Sequence, residues 1–311
     1  MPLGRRRAAI IKPGTFANVC HAYLASPKFA ALAANTQTSY RRVLRLAEQP
    51  EILGAISTDE LRPAHVQAFL DGLADRPALQ LNALRVLHTV EKWAVVRDLL
   101  MWPITMGVEV IGCDGGHEPW TDEQVQLAEQ HALPHIARAI TLGSNTGQRG
   151  SDLVKMRWTD LETFEGRPGI NVTQKKTGVK IWIPMTQELM RVLSTWERRP
   201  GYILLKADGQ PWTREQLSNR WLQERNGKPA LAPLREAGVV IHGLRATAAV
   251  RLRRAGATTA QIKDMLGMSE ATVTRYCRLS VQRENALAAV HYLDVRVRSD
   301  QRARNDSSDS G

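Results

Sequence analysis

The sequence predicts a mainly α protein with a small antiparallel β-sheet, divided into an all-helical first domain and an α+β second domain. Three observations carry that prediction. Apolar residues recur at helical spacing from Thr15 to about Met101. Between Pro103 and Pro119 the rhythm fails and Gly107, Gly112, Gly115 and Gly116 accumulate, as in a connection. Beyond it, only Leu161 to Met185 reads as strands and turns, and helical periodicity resumes afterwards.

A chain of 311 residues suffices for two domains with separate cores. Its hydrophobic share of 43% is that of a globular protein, which excludes a wholly disordered one. Lys and Arg number 42 against 31 Asp and Glu, a net charge of +11. Such a surplus suits a polyanionic partner, nucleic acid first. Cys20, Cys113 and Cys277 are scattered and form no C-x-x-C pair, so neither a disulfide framework nor a structural zinc site is expected. No apolar run approaches the roughly 20 residues of a membrane span, and the basic N-terminus lacks the apolar core of a signal peptide. The expected setting is the cytoplasm, without membrane association.

In chain order, residues 1–13 form a basic arm expected to be flexible, with Arg5, Arg6, Arg7 and Lys12. Residues 14–102 are expected to form a bundle of four or five helices. Its apolar stripes run through Phe16, Val19, Cys20 and Tyr23, then Tyr40, Val43 and Leu44. Two more follow, through Val66, Phe69 and Leu70 and through Leu84, Leu87, Val90, Trp93 and Ala94. Pro63 and Pro77 fall between stripes, where proline stops helices. Lys28, Arg41, Arg42 and Arg45 occupy polar faces and are candidate DNA phosphate contacts, although any one of them alone is more simply a solvated cation. The connection spans 103–120. Asp114, His117 and Glu118 lie within it at a spacing that matches no metal-ligand motif, so no metal is expected.

The second domain, 121–293, opens on Thr121-Asp-Glu-Gln124, a capping box. Helices follow to about Leu142. A turn at Gly147 and Gly150 then sets Arg149 at the start of a new helix. Asp152 lies in its first turn, where a carboxylate suits the helix dipole. Glu165 to Gly169 reads as a turn, Ile170 to Gln174 as a strand, Lys175 to Gly178 as a second turn and Val179 to Ile183 as an alternating strand. Lys176 thus stands on a hairpin tip. Helices are expected at about 186–196, 214–225 and 242–255, a helix-turn-helix over 258–280, and a last amphipathic helix over 283–293. Residues 294–311 form a charged, serine-rich tail expected to be disordered.

The chemistry concentrates late in the chain. His242 and Arg245 lie three apart in a helical stretch and share a face. An imidazole beside a planar guanidinium fork suits a phosphate, and Tyr276 offers a phenol able to attack one. A phenol ionises near pH ~10, so that attack needs cations close by to stabilise the anion. The departing alkoxide needs a positioned acid.

An arginine after a glycine turn, a hairpin lysine, an H-x-L-R helix and a late tyrosine, in that order, resemble the tyrosine recombinase (phage integrase) family. The motifs are Thr146-Gly-Gln-Arg149-Gly-Ser-Asp152-Leu, Lys176-Thr-Gly-Val-Lys180-Ile-Trp-Ile-Pro184 and His242-Gly-Leu-Arg245, with Leu266-Gly-Met268 and Thr274-Arg-Tyr276. The resemblance spans roughly 15–293. It implies a DNA-contacting core-binding domain over 14–102 and a catalytic domain over 121–293. The implied activity is site-specific recombination, cleaving and rejoining DNA through a 3′-phosphotyrosyl intermediate.

The same resemblance implies Tyr276 as nucleophile and Arg149 and Arg245 on the non-bridging phosphate oxygens. Lys176 would protonate the leaving 5′-oxygen, His242 would assist proton movement at the nucleophile, and Asp152 would brace the site. No metal or ATP is implied, because the phosphotyrosyl bond conserves the phosphodiester energy. The implied partner is double-stranded DNA, bound by a homotetramer on paired sites that is monomeric when free, in a bacterial or phage nucleoid setting. One position departs from the family: its Leu-Gly is usually followed by His or Trp, here by Met268, whose thioether cannot donate to phosphate. The interval from there to Tyr276 is also one residue short, and Ser269 is a candidate substitute donor. The last helix could pack on its own domain or on a neighbouring protomer.

Two other readings compete. A recombinase-derived DNA reader without cutting activity would use the helix-turn-helix-like segment 258–278. That reading leaves Arg149, Lys176, His242 and Arg245 without a task and puts Lys263 where such motifs keep a small residue. A type IB topoisomerase would use similar residues, but the small size and the helical N-terminal bundle favour recombination.

Overall fold

The computed structural model describes residues 12–112 and 117–278, together with 282, 286–287 and 289–291. The arm expected over 1–13 (its last two residues aside), the tail over 294–311 and most of the helix over 283–293 lie outside the described residues. The chain divides into two compact units, Met1–Gly115 and Gly116–Gly311.

The first unit holds α1 (Phe16–Leu24), α2 (Pro27–Ala30), α3 (Ala34–Ala47), a π-helical turn (Pro50–Gly54), α4 (Pro63–Asp71) and α5 (Pro77–Val95). The apolar stripes meet in one core in which Phe16, Tyr23, Leu44, Leu70 and Val90 are fully buried. Each such side chain contributes roughly 1.5–3 kcal/mol by leaving water. Tyr40 and Leu84 lie at its margin. Pro63 and Pro77 do more than interrupt. Each is the first residue of a helix, where the missing N–H has no helical partner to lose and φ is already helical.

The stretch after α5 packs on this core: Ile104 is fully buried, and Trp102 Nε1 donates to the Leu61 carbonyl at 2.7 Å. Gln80 Oε1 accepts from the Ile111 N–H at 2.8 Å. Trp120, by contrast, is buried in the second unit, and its N–H donates to Thr247 Oγ1 at 2.7 Å. The connection expected over 103–120 therefore belongs to one core at each end.

The second unit begins with α6 (Asp122–His131), opened by the capping box of Thr121 and Gln124. It continues with α7 (Pro134–Thr146), α8 (Gly150–Leu153), β1 (Leu161–Phe164), β2 (Arg167–Thr173), β3 (Lys180–Pro184), α9 (Gln187–Ser194) and α10 (Arg214–Gly227). After α11 (Ala232–Glu236), which the sequence did not suggest, come α12 (Gly243–Arg254), α13 (Thr259–Leu266) and a helix over 270–278, here α14. The sheet is antiparallel in the order β1-β2-β3, with Ile170 opposite both Leu161 and Ile183. The first hairpin is tighter than expected. Only Glu165 and Gly166 turn, both at positive φ, and Arg167 to Gly169 already belong to β2. Two residues with φ > 0 match the right-handed twist of the strands they join.

Candidate active site

The site is built where three turns meet. Helix α7 ends at Gly147, left-handed at φ +60°, and a Cβ there would stand 2.9 Å from both Ala248 Cβ and Leu266 Cδ2. Only glycine supplies both the dihedral and the approach. The chain then reverses, and Arg149 becomes the residue that precedes α8. Its Nη1 donates to Gln174 Oε1 at 2.8 Å and stands 4.0 Å from Asp152 Oδ2. Asp152 is buried. Its Oδ1 accepts from the Lys175 N–H at 3.0 Å, tying the hairpin of Lys176 to α8, while its Oδ2 makes no hydrogen bond.

Arg245, on the first turn of α12, is 2% exposed and donates to three backbone carbonyls. Nη1 reaches Gly147 O at 2.6 Å and Leu266 O at 3.2 Å, and Nη2 reaches Gly267 O at 3.1 Å. A guanidinium supplies five donors in a fixed plane, so Nε and one Nη2 hydrogen remain for a ligand. Burial, then repulsion from Arg149, pushes the Arg245 guanidinium down to about 10, partly offset by Tyr276 and Asp152. It stays charged at neutral pH. The two arginines thus share one anion-seeking corner, where a developing charge would meet donors already in position.

His242 stands at the N-terminus of α12, half-buried, with its ring 5.0 Å from that of His117 in an edge-on contact. Burial and the nearby His117, Arg245, Arg214 and Arg149 push its imidazole down to about 4. At neutral pH it is uncharged and able to accept a proton. Tyr276, on α14, packs its ring against the cluster of Ala248, Ala249, Ile262, Leu266, Met268, Val273 and Cys277. The Arg275 guanidinium lies over that ring at 5.1 Å.

Met268 is 6% exposed within the same cluster, so it acts as packing. Ser269 does not stand in as a donor to the site: its hydroxyl meets Thr272 Oγ1 at 2.9 Å and accepts from the Thr272 N–H, capping α14. Lys176 is the member not drawn in. It sits exposed on the β2–β3 turn, and its side chain makes no hydrogen bond or ion pair among the described residues. Gln148, Gln174, Arg214 and His117 joined the site without being anticipated. Gln148 lies inside the motif of residues 146–153, and Gln174 two residues before Lys176.

In the first unit, Arg41, Arg42 and Arg45 are exposed on α3 and, with Thr38 and Arg76, line a groove of about 530 Å³. Arg41 also lies over the Phe29 ring at 4.8 Å. Lys28 is exposed on α2 and does not line that groove. Among the described residues no group of three His, Cys, Asp or Glu could hold a metal ion, and no helix is long and apolar enough to cross a membrane.

The model of the phage integrase family matches residues 123–283, which contain every one of the motif residues described above. The chain belongs to the phage integrase family. It is a site-specific tyrosine recombinase, a DNA strand transferase. Solved structures agree in fold. A lambda integrase dimer on a COC′ core site is 18% identical with a TM-score of 0.68, covering 83% of this chain and 97% of that one. The Tn1549 transposon integrase with transposon right end DNA is 17% identical with a TM-score of 0.67, covering 87% and 99%. A lambda integrase tetramer on a Holliday junction is 19% identical with a TM-score of 0.67, covering 83% and 75%. No curated protein sequence matches the chain.

Proposed function

We propose that this recombinase cuts DNA with Tyr276. The phenolic oxygen attacks the scissile phosphorus, a bond forms from phosphorus to tyrosine, and the bond to the 5′-oxygen breaks. His242, neutral at working pH, takes the phenolic proton, and Lys176 gives a proton to the departing 5′-oxygen. Arg149 and Arg245 hold the non-bridging oxygens as charge builds. Asp152 holds the Lys176 hairpin at the Lys175 N–H. Rejoining reverses these steps with the 5′-hydroxyl of a second strand, so no external energy source is needed. Neither a metal ion nor ATP takes part.

The observation that carries this reading is the shared corner of Arg149 and Arg245, joined through the Gln174 amide and the carbonyl of Leu266 one turn before the helix of Tyr276. The partner is double-stranded DNA, contacted by the first unit through Arg41, Arg42 and Arg45, with Lys28 contributing charge. Most of the affinity comes from phosphates and falls steeply with salt. The working assembly is a homotetramer on paired sites, a reading supported by the lambda integrase tetramer on a Holliday junction, and the protein is monomeric when free. The reaction takes place in the cytoplasm, on nucleoid DNA.

The test begins with duplexes recovered by binding from a randomised library. Nicked suicide versions of these are incubated with wild type and with Tyr276→Phe and run on a denaturing gel. A covalent protein–DNA adduct in wild type that disappears in Tyr276→Phe is the expected result. Tight binding without an adduct across the recovered sites would instead make the protein a DNA reader.

A further inference from the structure

Resting on the reading of Arg149 and Arg245 as the phosphate grip, we propose that Gln174 is the positioning residue that fixes these two arginines relative to each other. Gln174 is fully buried at the end of β2. Its side chain uses its whole hydrogen-bonding capacity. Oε1 accepts from Arg149 Nη1 at 2.8 Å and from Thr177 Oγ1 at 3.1 Å. Nε2 donates to Gln148 Oε1 at 2.8 Å and to Leu266 O at 2.9 Å. These partners leave the amide one orientation: flipped, its NH2 would face a guanidinium and its oxygen a carbonyl.

The partners come from three separate motifs. Gln148 and Arg149 belong to the glycine turn, Thr177 to the Lys176 hairpin, and Leu266 to the Leu-Gly-Met turn. The backbone of Gln174 also closes the hairpin loop, donating to Val179 O and accepting from the Gly178 N–H, both at 2.8 Å. Leu266 O is the second node: it accepts from Gln174, from Gln148 Nε2 at 3.3 Å and from Arg245 Nη1 at 3.2 Å. One chain of contacts therefore runs Arg149–Gln174–Leu266–Arg245. Gly267 is kept free of a side chain for the same reason, since a Cβ there would stand 2.5 Å from Gln174 Nε2.

Gln174 also decides between two partners for Arg149. The buried Asp152 Oδ2, without a hydrogen bond among the described residues, lies 4.0 Å from Arg149 Nη1. Without the amide acceptor, the guanidinium relaxes toward that carboxylate and away from the phosphate. A displacement of about 1 Å in such a group is enough to slow chemistry about 10²-fold. DNA affinity, spread over many phosphates, barely changes.

The experiment measures single-turnover adduct formation on the suicide duplexes, with melting temperature and DNA affinity recorded for each variant. Gln174→Met, close in shape and without hydrogen bonds, is expected to bind DNA within about threefold of wild type and to cleave about 10²-fold more slowly. The decisive variant combines it with Arg149→Ala. If Gln174 acts through Arg149, the double variant cleaves no more slowly than Arg149→Ala alone, whereas a general structural role makes the two losses multiply. Gln174→Glu covers the chance that the methionine misfolds. It keeps the acceptor for Arg149 but turns an anionic oxygen toward Leu266 O, so its defect shrinks as pH falls and the carboxyl regains a donor. Wild-type cleavage by Gln174→Met, multiplying losses, or a Glu defect indifferent to pH would each overturn the proposal. If Arg149→Ala itself cleaves normally, the reading of the phosphate grip fails instead, which separates the two.

Discussion

Arg245 and Lys176 carry the same charge in the same unit, yet their surroundings are opposite. Arg245 is buried, and three backbone carbonyls dictate where its guanidinium points before any DNA arrives. Lys176 stands exposed on a hairpin tip, and among the described residues its side chain makes no hydrogen bond or ion pair. Under the mechanism proposed for Arg245 and Lys176, the difference separates two kinds of task. A grip on non-bridging oxygens gains most from donors fixed in advance, because no reorganisation is then needed as charge develops. An acid for the leaving oxygen has to find a group that only bound DNA supplies. A flexible, strongly hydrated ammonium suits that better than a rigid fork.

The largest expected effect tests the fixed half of this contrast. Arg245→Lys keeps the charge but cannot span Gly147 O, Leu266 O and Gly267 O together. We expect single-turnover cleavage to fall about 10³-fold, with a lowered melting temperature from the carbonyls left unpaired. A lysine variant that cleaves within tenfold of wild type would show that charge matters at this position and preorganisation does not.

The exposed half predicts a smaller and separable loss. Lys176→Ala removes no buried contact, so the melting temperature should not move, while cleavage falls about 10²-fold. A substrate with sulfur in place of the bridging 5′-oxygen sharpens the comparison. A thiolate leaves without protonation, so this substrate should restore Lys176→Ala close to the wild-type rate and leave Arg245→Lys slow. Equal rescue of both would remove the distinction drawn between the two cations.

The same contrast explains what could be read from the sequence. The bundle stripes were legible because each helix buries one face, and Phe16, Val19, Cys20 and Tyr23 line up without tertiary information. His242, Arg245 and Tyr276 could be grouped by spacing and chemistry, whereas Arg149 and Lys176, each alone an ordinary surface cation, stood out only through the resemblance to the tyrosine recombinase family. Gln174 did not, for it has no charge and three of its four side-chain partners lie 25, 26 and 92 residues away in the chain. His117 read as part of a connection because its contact with His242 exists only after the chain has folded. Arg214 read as an ordinary helix start, although its charge helps to keep His242 neutral. What escaped was the network that holds the chemical groups, since an amide or a carbonyl acquires a role only from its neighbours.

The smallest expected effect concerns Met268, where the family resemblance implies a hydrogen-bond-donating histidine or tryptophan. Met268 packs among Ala248, Ala249, Ile262, Leu266, Val273 and Cys277, and the backbone of its turn is already claimed by Gly267 O to Arg245 and Leu266 O to Gln174. The turn is thus held by the site's own donors without an imidazole. Met268→His places a polar ring among apolar neighbours, at a cost of roughly 1–3 kcal/mol when its hydrogen bonds go unmet. We expect a lower melting temperature and a cleavage rate within about threefold of wild type, since the side chain at this position is buried among apolar neighbours. A cleavage rate raised tenfold or more would mean that an imidazole at this position reaches the phosphate. The exposed lysine would then share its dependence on bound DNA with a second side chain of the site.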